Sequence, residues 1–356
     1  MTTQGVQTGV IGVTGYAGAE LARLLIRHPR LHGKPPVFAG RVDEKDAARG
    51  GTPLTEIHPQ LAASNGNSHL KQEPFSWELL ADRGVKVLFM ATPHEQSREW
   101  APEALKRGIR VIDLSGAWRL LDPANRAVYA FKDEGSDLAA QTQAQAVYGM
   151  PELYRAQIAG AKLIANPGCY STSVILPLRP LVAAGLIDVE SGIVADSKSG
   201  VSGAGKSPTA KTHFMYAADN LSAYGVFAHR HTGELLEQIG LKTGEIVFTP
   251  HLLPIPRGIL STIYVRFREP QTHGSIARVY GEFFANSPMV RIYEKGLPQI
   301  QYSVRTNYAD IGFQLDASGR RAVIVSCLDN LLKGAAGQAV QNLNVMMGWP
   351  ESEGLE

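Results

Sequence analysis

The sequence predicts an α/β fold with a doubly wound parallel sheet, followed by an α+β domain whose sheet is mostly antiparallel. Three observations carry this. Strand and helix patterns alternate over the first 165 residues, a glycine-rich turn joins the first strand to the first helix, and after about residue 190 the pattern changes to strands and hairpins.

Residues 9–13 (GVIGV) form a short apolar run broken by glycine, as a strand buried on both faces requires. Leu21, Leu24 and Leu25 share one face of a helix over 17–28, and Pro29 stops it. Residues 37–39 read as a second strand and 85–90 (VKVLFM) as a strong one. A helix over 97–107 is closed by Gly108, and strands follow at 109–114 and 162–165. Beyond residue 190, strands are predicted at 193–197, 245–250, 260–267 and 289–293. A hairpin joins 311–315 to 322–327 through Ala317-Ser318-Gly319. Helices are predicted at 232–239 and 275–285, and a last one at 335–347.

The chain has 356 residues, enough for about two domains with real cores. Its 35 Lys+Arg against 33 Asp+Glu leave a formal charge of +2, too small for a nucleic-acid or membrane-surface binder. Two cysteines, Cys169 and Cys327, exclude a disulfide framework. Residues 1–10 lack a basic-then-apolar leader, and no apolar run approaches the roughly 18 residues a membrane span needs. The expectation is a cytoplasmic protein.

Gly12-Val13-Thr14-Gly15-Tyr16-Ala17-Gly18 is a variant of the dinucleotide fingerprint, in which glycines allow a tight turn and backbone amides meet a pyrophosphate at a helix N-terminus. The spacing is not the usual one, so an ordinary β–α turn is the competing reading; the flanking strand and helix favour the nucleotide. After the second strand comes Arg41, with Asp43 two positions later. A cation there favours the 2′-phosphate of NADP, unless Arg41 is simply a solvated loop residue. Ala91-Thr92-Pro93, after a strong strand, is a second candidate cofactor contact.

Cys169 follows a strand and a Pro-Gly turn and opens an apolar helical segment. Free amides and the helix dipole favour a thiolate there and predict a lowered pKa, as an acyl-group nucleophile needs. Cys327 lies in an apolar strand and reads as a small buried hydrophobe. A thiol nucleophile beside a nicotinamide site implies interconversion of thioester and thiohemiacetal by hydride transfer.

A series of motifs runs along the chain: GVTGYAGAEL (12–21), HPQL (58–61), DLSGAWRL (113–120), VYGMPELYR (147–155), ANPGCYST (165–172), SKSGVSGAGK (197–206), AYGVFAHRHTGEL (223–235), PHLLPIPRGIL (250–260) and DNLLKGAAGQAVQN (329–342). On these, over essentially its whole length, the sequence resembles the N-acetyl-γ-glutamyl-phosphate reductase family, within the semialdehyde dehydrogenase group. One departure is Gly233, where the family usually carries proline; it is expected to affect the helix start more than the chemistry. The resemblance implies NADPH-dependent reduction of an acyl phosphate in arginine biosynthesis. It also implies a Rossmann domain over 1–168, a catalytic and association domain over 169–329, and a C-terminal helical segment, 330–356, returning to the first domain. A homodimer or homotetramer is implied as well.

Within that resemblance one of His229 and His231 is the general acid/base. His231, at a helix start, is favoured, and His229 then binds substrate. His-x-His with no acidic or Cys cluster beside it does not make a metal site. The anionic substrate needs cations: Arg119, Lys206, Arg230 and Arg257 all sit beside turns, as surface charges also would, with Asn166 next to the cysteine. Ser115-Gly116 and the Ser202-Gly203 turn are loops whose backbone approaches nicotinamide or phosphate, and the resemblance places Asn330 at the cofactor's carboxamide end. Three other readings remain open here: aspartate-semialdehyde dehydrogenase, a reductase for the one-carbon-longer aminoadipyl phosphate, and a non-catalytic NADP sensor. The His-Arg-His segment argues against the first, and intact Cys169 and His231 argue against the last.

Overall fold

The computed structural model describes residues 5–62 and 69–356. The first sheet has eight strands: β1 (Thr8–Ile11), β2 (Val37–Gly40), β3 (Thr52–Pro53), β4 (Lys71–Pro74), β5 (Val87–Met90), β6 (Arg110–Asp113), β7 (Ala146–Tyr148) and β8 (Leu163–Ala165). Their order is β3-β4-β2-β1-β5-β6-β8-β7, parallel throughout except for β3 against β4. β1 and β5 are buried along their whole length because helices cover both faces. The chain leaves β1 in one direction along the sheet and reaches β5 on its other side. The crevice at the carboxyl ends of β1 and β5 is therefore where such sheets take ligands.

The first strand ends at Ile11, two residues earlier than predicted, because Gly12 turns the chain at φ +90°. The helix after β5 spans His94–Lys106 and so starts a turn earlier than its apolar pattern. Sequence periodicity missed β3, β4 and β7. These are two- to four-residue strands at or near the edges, too short to carry an alternating signal.

The second sheet comprises β9 (Ile193–Gly200), β10 (Ser222–Ala223), β11 (Ile246–Leu253), β12 (Ile259–Arg266), β13 (Val290–Ile292), β14 (Ala309–Leu315) and β15 (Arg321–Leu328), in the order β10-β11-β9-β12-β15-β14-β13. Four of the six pairings are antiparallel; β9–β11 and β13–β14 are parallel. β11 alternates buried and half-buried residues, the mark of a sheet with one covered face. That face packs on the helices Cys169–Ala183, Thr232–Ile239 and His273–Phe283, with Leu176, Leu235, Ile263 and Tyr280 in one apolar cluster.

The last helix, Gly337–Met347, is buried over its first ten residues and lies against the first sheet's helices Tyr16–Arg27 and Pro151–Gly160. Val340 and Leu343 share an apolar cluster with Leu21 and Leu25. Just before it, the fully buried Lys333 donates to Glu152 Oε1 and Gln341 Oε1, each at 2.6 Å. A buried charge of this kind is held only with a countercharge and polar partners beside it.

Candidate active site

The three loop glycines have different duties. A Cβ on Gly12 would run into the Ala91 carbonyl, and one on Gly18 into the Gly12 carbonyl. Both are therefore required by close packing of the chain. Gly15 is different: the nearest atom to a Cβ there is 3.7 Å away. It caps the helix Tyr16–Arg27, whose first turn, including Ala17, carries no side-chain cap and no acidic residue. The result is an open cradle of backbone amides at a helix N-terminus, suited to a pyrophosphate. Thr14, Tyr16, Ser202, Lys206 and Arg257 line the adjoining cavity of about 590 Å³. Arg41 is exposed after β2, and its guanidinium has no partner among the described residues. Pro93 precedes the uncapped N-terminus of His94–Lys106 on the same edge of the sheet.

A second cavity, of about 450 Å³, holds Cys169, Tyr170, Lys211, Tyr224, His229, Arg230 and His231. Gly203 lines this cavity and Ser202 the other, while Thr212 lines both, so the two spaces adjoin across the 202–203 turn. Cys169 is the first residue of the helix Cys169–Ala183 and is half-buried. One sequence expectation is corrected here: burial pushes the Cys169 thiol up, and the Tyr170 amide with the Arg119 and Arg230 guanidiniums offsets this without reversing it. Cys327 is fully buried in β15, where burial pushes its thiol up to about 12.

Behind Cys169 lies a buried polar network. The Glu234 carboxylate accepts from the Gly168 amide at 3.0 Å, the Tyr148 hydroxyl at 2.6 Å and Arg119 Nη1 at 3.1 Å. His231 lies against Gly168, where a Cβ would sit 2.5 Å from its Nε2, and that nitrogen is 4.0 Å from Glu234 Oε1. His231 Nδ1 is buried without a partner. Burial, then His229, Arg119 and Arg230, hold the His231 imidazole well below its ordinary value. Burial and then Arg230 push His229 down to about 4. A raised thiol beside a lowered imidazole makes the resting pair neutral thiol and neutral imidazole.

Several predicted contacts take other duties. Arg119 is buried and donates to Glu234, to the Asn166 carbonyl at 2.7 Å and to the Leu114 carbonyl at 2.8 Å, so it props the Cys169 loop from behind rather than facing the cavity. Asn166 is also buried, tied to Ala335 O and to Asn342 of the last helix. Asn330 is bound to the Gly258 amide and to Ser202 Oγ, and therefore shapes the 202–203 turn. The Ser115 hydroxyl donates to Asp113 at 2.7 Å, and the Tyr129 phenol covers Gly116, so that loop faces protein. Arg257 pairs with Glu20 and Asp329 on the dinucleotide side. Only Arg230, with the unforeseen Lys211, brings an unpaired cation to the Cys169 cavity among the described residues.

Sequence reasoning missed Glu234 and Tyr148. Glu234 had a signal, since it lies three residues after His231 and shares its helix face. Tyr148 had none, being brought in by β7. Gly233 is buried with Asn125 Cβ 2.9 Å from where a Cβ would stand, so a small residue lets this helix approach Leu120 and Asn125.

Residues 7–161 match the semialdehyde dehydrogenase NAD binding domain, and residues 169–330 the semialdehyde dehydrogenase dimerisation domain. The chain is 41% identical over 355 residues to the N-acetyl-gamma-glutamyl-phosphate reductase of Dehalococcoides mccartyi, covering 98% of this chain and 97% of that one. It is 43% identical to the enzyme of the same name from Desulfotalea psychrophila, covering 99% and 98%. Among solved structures it resembles aspartate semialdehyde dehydrogenase II from Vibrio cholerae, with a TM-score of 0.69 at 18% identity over 97% and 99% of the chains. It also resembles aspartate semialdehyde dehydrogenase with NADP from Candida albicans, with a TM-score of 0.65 at 14% identity over 96% and 98%. At those identities the structures speak for the fold alone. With whole-length relatives at such identity, and both domains matched in order, the chain belongs to the N-acetyl-γ-glutamyl-phosphate reductase family of the semialdehyde dehydrogenases.

Proposed function

We propose that the protein reduces N-acetyl-γ-glutamyl phosphate to N-acetylglutamate 5-semialdehyde and phosphate with NADPH, through a thioester on Cys169, as a step of arginine biosynthesis. The observation that carries this reading is a half-buried cysteine at a helix N-terminus, with two imidazoles in its cavity, one turn away from an open dinucleotide cradle. Whole-length relatives of that name support the substrate.

Cys169 rests as a thiol, so attack on the acyl carbon needs a base, and neutral His231 against Gly168 is placed to be one. His231 takes the thiol proton and passes it to the departing phosphate, while Arg230 and Lys211 hold the anionic oxygens. NADPH, when bound, supplies the hydride that reduces the thioester carbon. A solvent proton reaches the substrate oxygen through the same imidazole. It returns to sulfur as the carbon–sulfur bond breaks and the aldehyde leaves. Gly15 and the first amides of Tyr16–Arg27 would hold the pyrophosphate, and Arg41 the 2′-phosphate.

In this reading 1–168 is the NADP-binding domain, 169–329 the catalytic and association domain, and 330–356 the returning segment. The chain assembles as a homodimer or homotetramer in the cytoplasm. Support for association is the match of 169–330 to a dimerisation domain and an outer sheet face on which Val194 and Tyr264 are exposed. No helix among the described residues is long and apolar enough to cross a membrane.

The test is the reverse reaction, with N-acetylglutamate semialdehyde, phosphate and NADP. Formation of NADPH is expected. Its absence with intact protein, or equal efficiency with aspartate semialdehyde, would overturn the substrate assignment.

A further inference from the structure

The two histidines of the cavity are held in different ways. His229 Nδ1 accepts the backbone amide of His231 at 3.1 Å. A nitrogen that accepts from an N–H carries no proton, so the neutral ring must carry its proton on Nε2. That nitrogen has no partner among the described residues, and the residue lines the Cys169 cavity. The ring is also fixed in place: Tyr170, Tyr224, His231 and Phe248 surround it edge-on, with centroids 5.7, 5.6, 4.7 and 5.4 Å away. His231 has no such constraint, since neither of its nitrogens is hydrogen-bonded in the protein.

We propose that His229 is locked as the neutral Nε2–H tautomer and donates a hydrogen bond to a substrate oxygen, leaving His231 alone to move the proton. This rests on the reductase reading above and assigns separate work to its two imidazoles. The groups facing His229 agree with it. Tyr170 and Tyr224 are neutral phenols raised by burial, and His231 and Arg230 on its own segment disfavour a second positive charge. A fixed neutral donor needs no reorganisation when negative charge develops on the oxygen it faces.

The experiment has a structural arm and a kinetic arm. Nitrogen-15 histidine spectra of the full-length protein, with His229 assigned from its loss in His229→Gln, are expected to show unprotonated Nδ1 and protonated Nε2 from roughly pH 5.5 to 8.5. A proton on Nδ1, or an imidazolium at pH 7, would overturn the proposal whatever the substrate proves to be. In the reverse assay, glutamine places an amide N–H near the position of Nε2, while asparagine reaches only the position of Nδ1. His229→Gln is therefore expected within about 5-fold of wild-type kcat/KM, and His229→Asn about 30-fold or more below it. The alkaline and acidic limbs of the pH profile stay in place in His229→Gln. Equal losses in both variants, or a pH limb abolished in His229→Gln, would show that His229 itself moves the proton. Active wild type with these outcomes sinks this inference alone; inactive wild type sinks the reductase reading and leaves the tautomer to the spectra.

Discussion

The two adjoining cavities are built from different materials. On the dinucleotide side the surface is backbone: Gly12 and Gly18 let the chain pack on itself, Gly15 leaves room, and the helix Tyr16–Arg27 presents uncapped amides. On the Cys169 side it is side chain, and much of the polar inventory is already spent inside the protein. Arg119, Tyr148 and the Gly168 amide all satisfy Glu234, so that the Cys169 loop is held by groups that never reach the cavity. A backbone site tolerates a change of side chain and fails when a Cβ intrudes. A side-chain site fails when a buried partner is removed.

Five measurements break or sharpen this contrast. The largest effect belongs to Cys169→Ser, for which kcat is expected to fall about 10³-fold or more at unchanged fold. Cys327→Ala should stay within about 2-fold in kcat, because that thiol is sealed in β15. Next is Glu234→Gln, which leaves the buried Arg119 without its countercharge. A loss of roughly 3 kcal/mol in denaturant stability, with a large drop in kcat, is expected; an unaltered protein would mean the network holds nothing.

On the backbone side, Gly18→Ala should lower stability by roughly 2–3 kcal/mol, since its Cβ meets the Gly12 carbonyl. Gly15→Ala should leave stability within about 1 kcal/mol and raise the KM for NADPH about 10-fold. Equal behaviour of the two would erase the distinction between packing and binding glycines. Acid comes fourth. His229 is held down to about 4 against 6.5 when unfolded, so the unfolded chain binds the extra proton first. Its contribution is intact above pH 6.5 and is lost as pH falls toward 4, about 2 kcal/mol by pH 5. His231, also lowered, acts in the same direction. Melting temperature against pH measures this, and His229→Gln should flatten the slope. The smallest effect is Arg41→Ala, expected to cut the preference for NADP over NAD about 10-fold; no change would remove Arg41 from the cofactor reading.

The same contrast explains what was legible in the sequence. Gly12, Gly15 and Gly18 fall within one seven-residue stretch, and the turn they make is local, so the cradle could be read directly from the chain. Cys169 too could be read from its place after Pro167-Gly168. Arg119, Asn166 and Asn330 were seen as polar residues in motifs, but whether such a group faces ligand or protein depends on partners far along the chain. Asn166, for example, meets Asn342 across 176 residues. The direction of the thiol's shift differs from expectation for a related reason: the helix N-terminus is visible in sequence, whereas burial in the folded chain is not. β3, β4 and β7 were too short to leave a pattern.

The buried helix Gly337–Met347 sets a condition on when the site can exist during synthesis. Asn342 ties Asn166 and the Gly149 carbonyl, and Gln338 donates to Thr172 on the first turn of the Cys169 helix, yet these residues leave the ribosome after every strand of both sheets. Until residues 337–347 are made, the Cys169 loop lacks its wedge, and the helix Tyr16–Arg27 lacks its packing on Val340 and Leu343. A chain cut short before residue 337 would present neither a formed Cys169 loop nor a Tyr16–Arg27 helix with its apolar face covered.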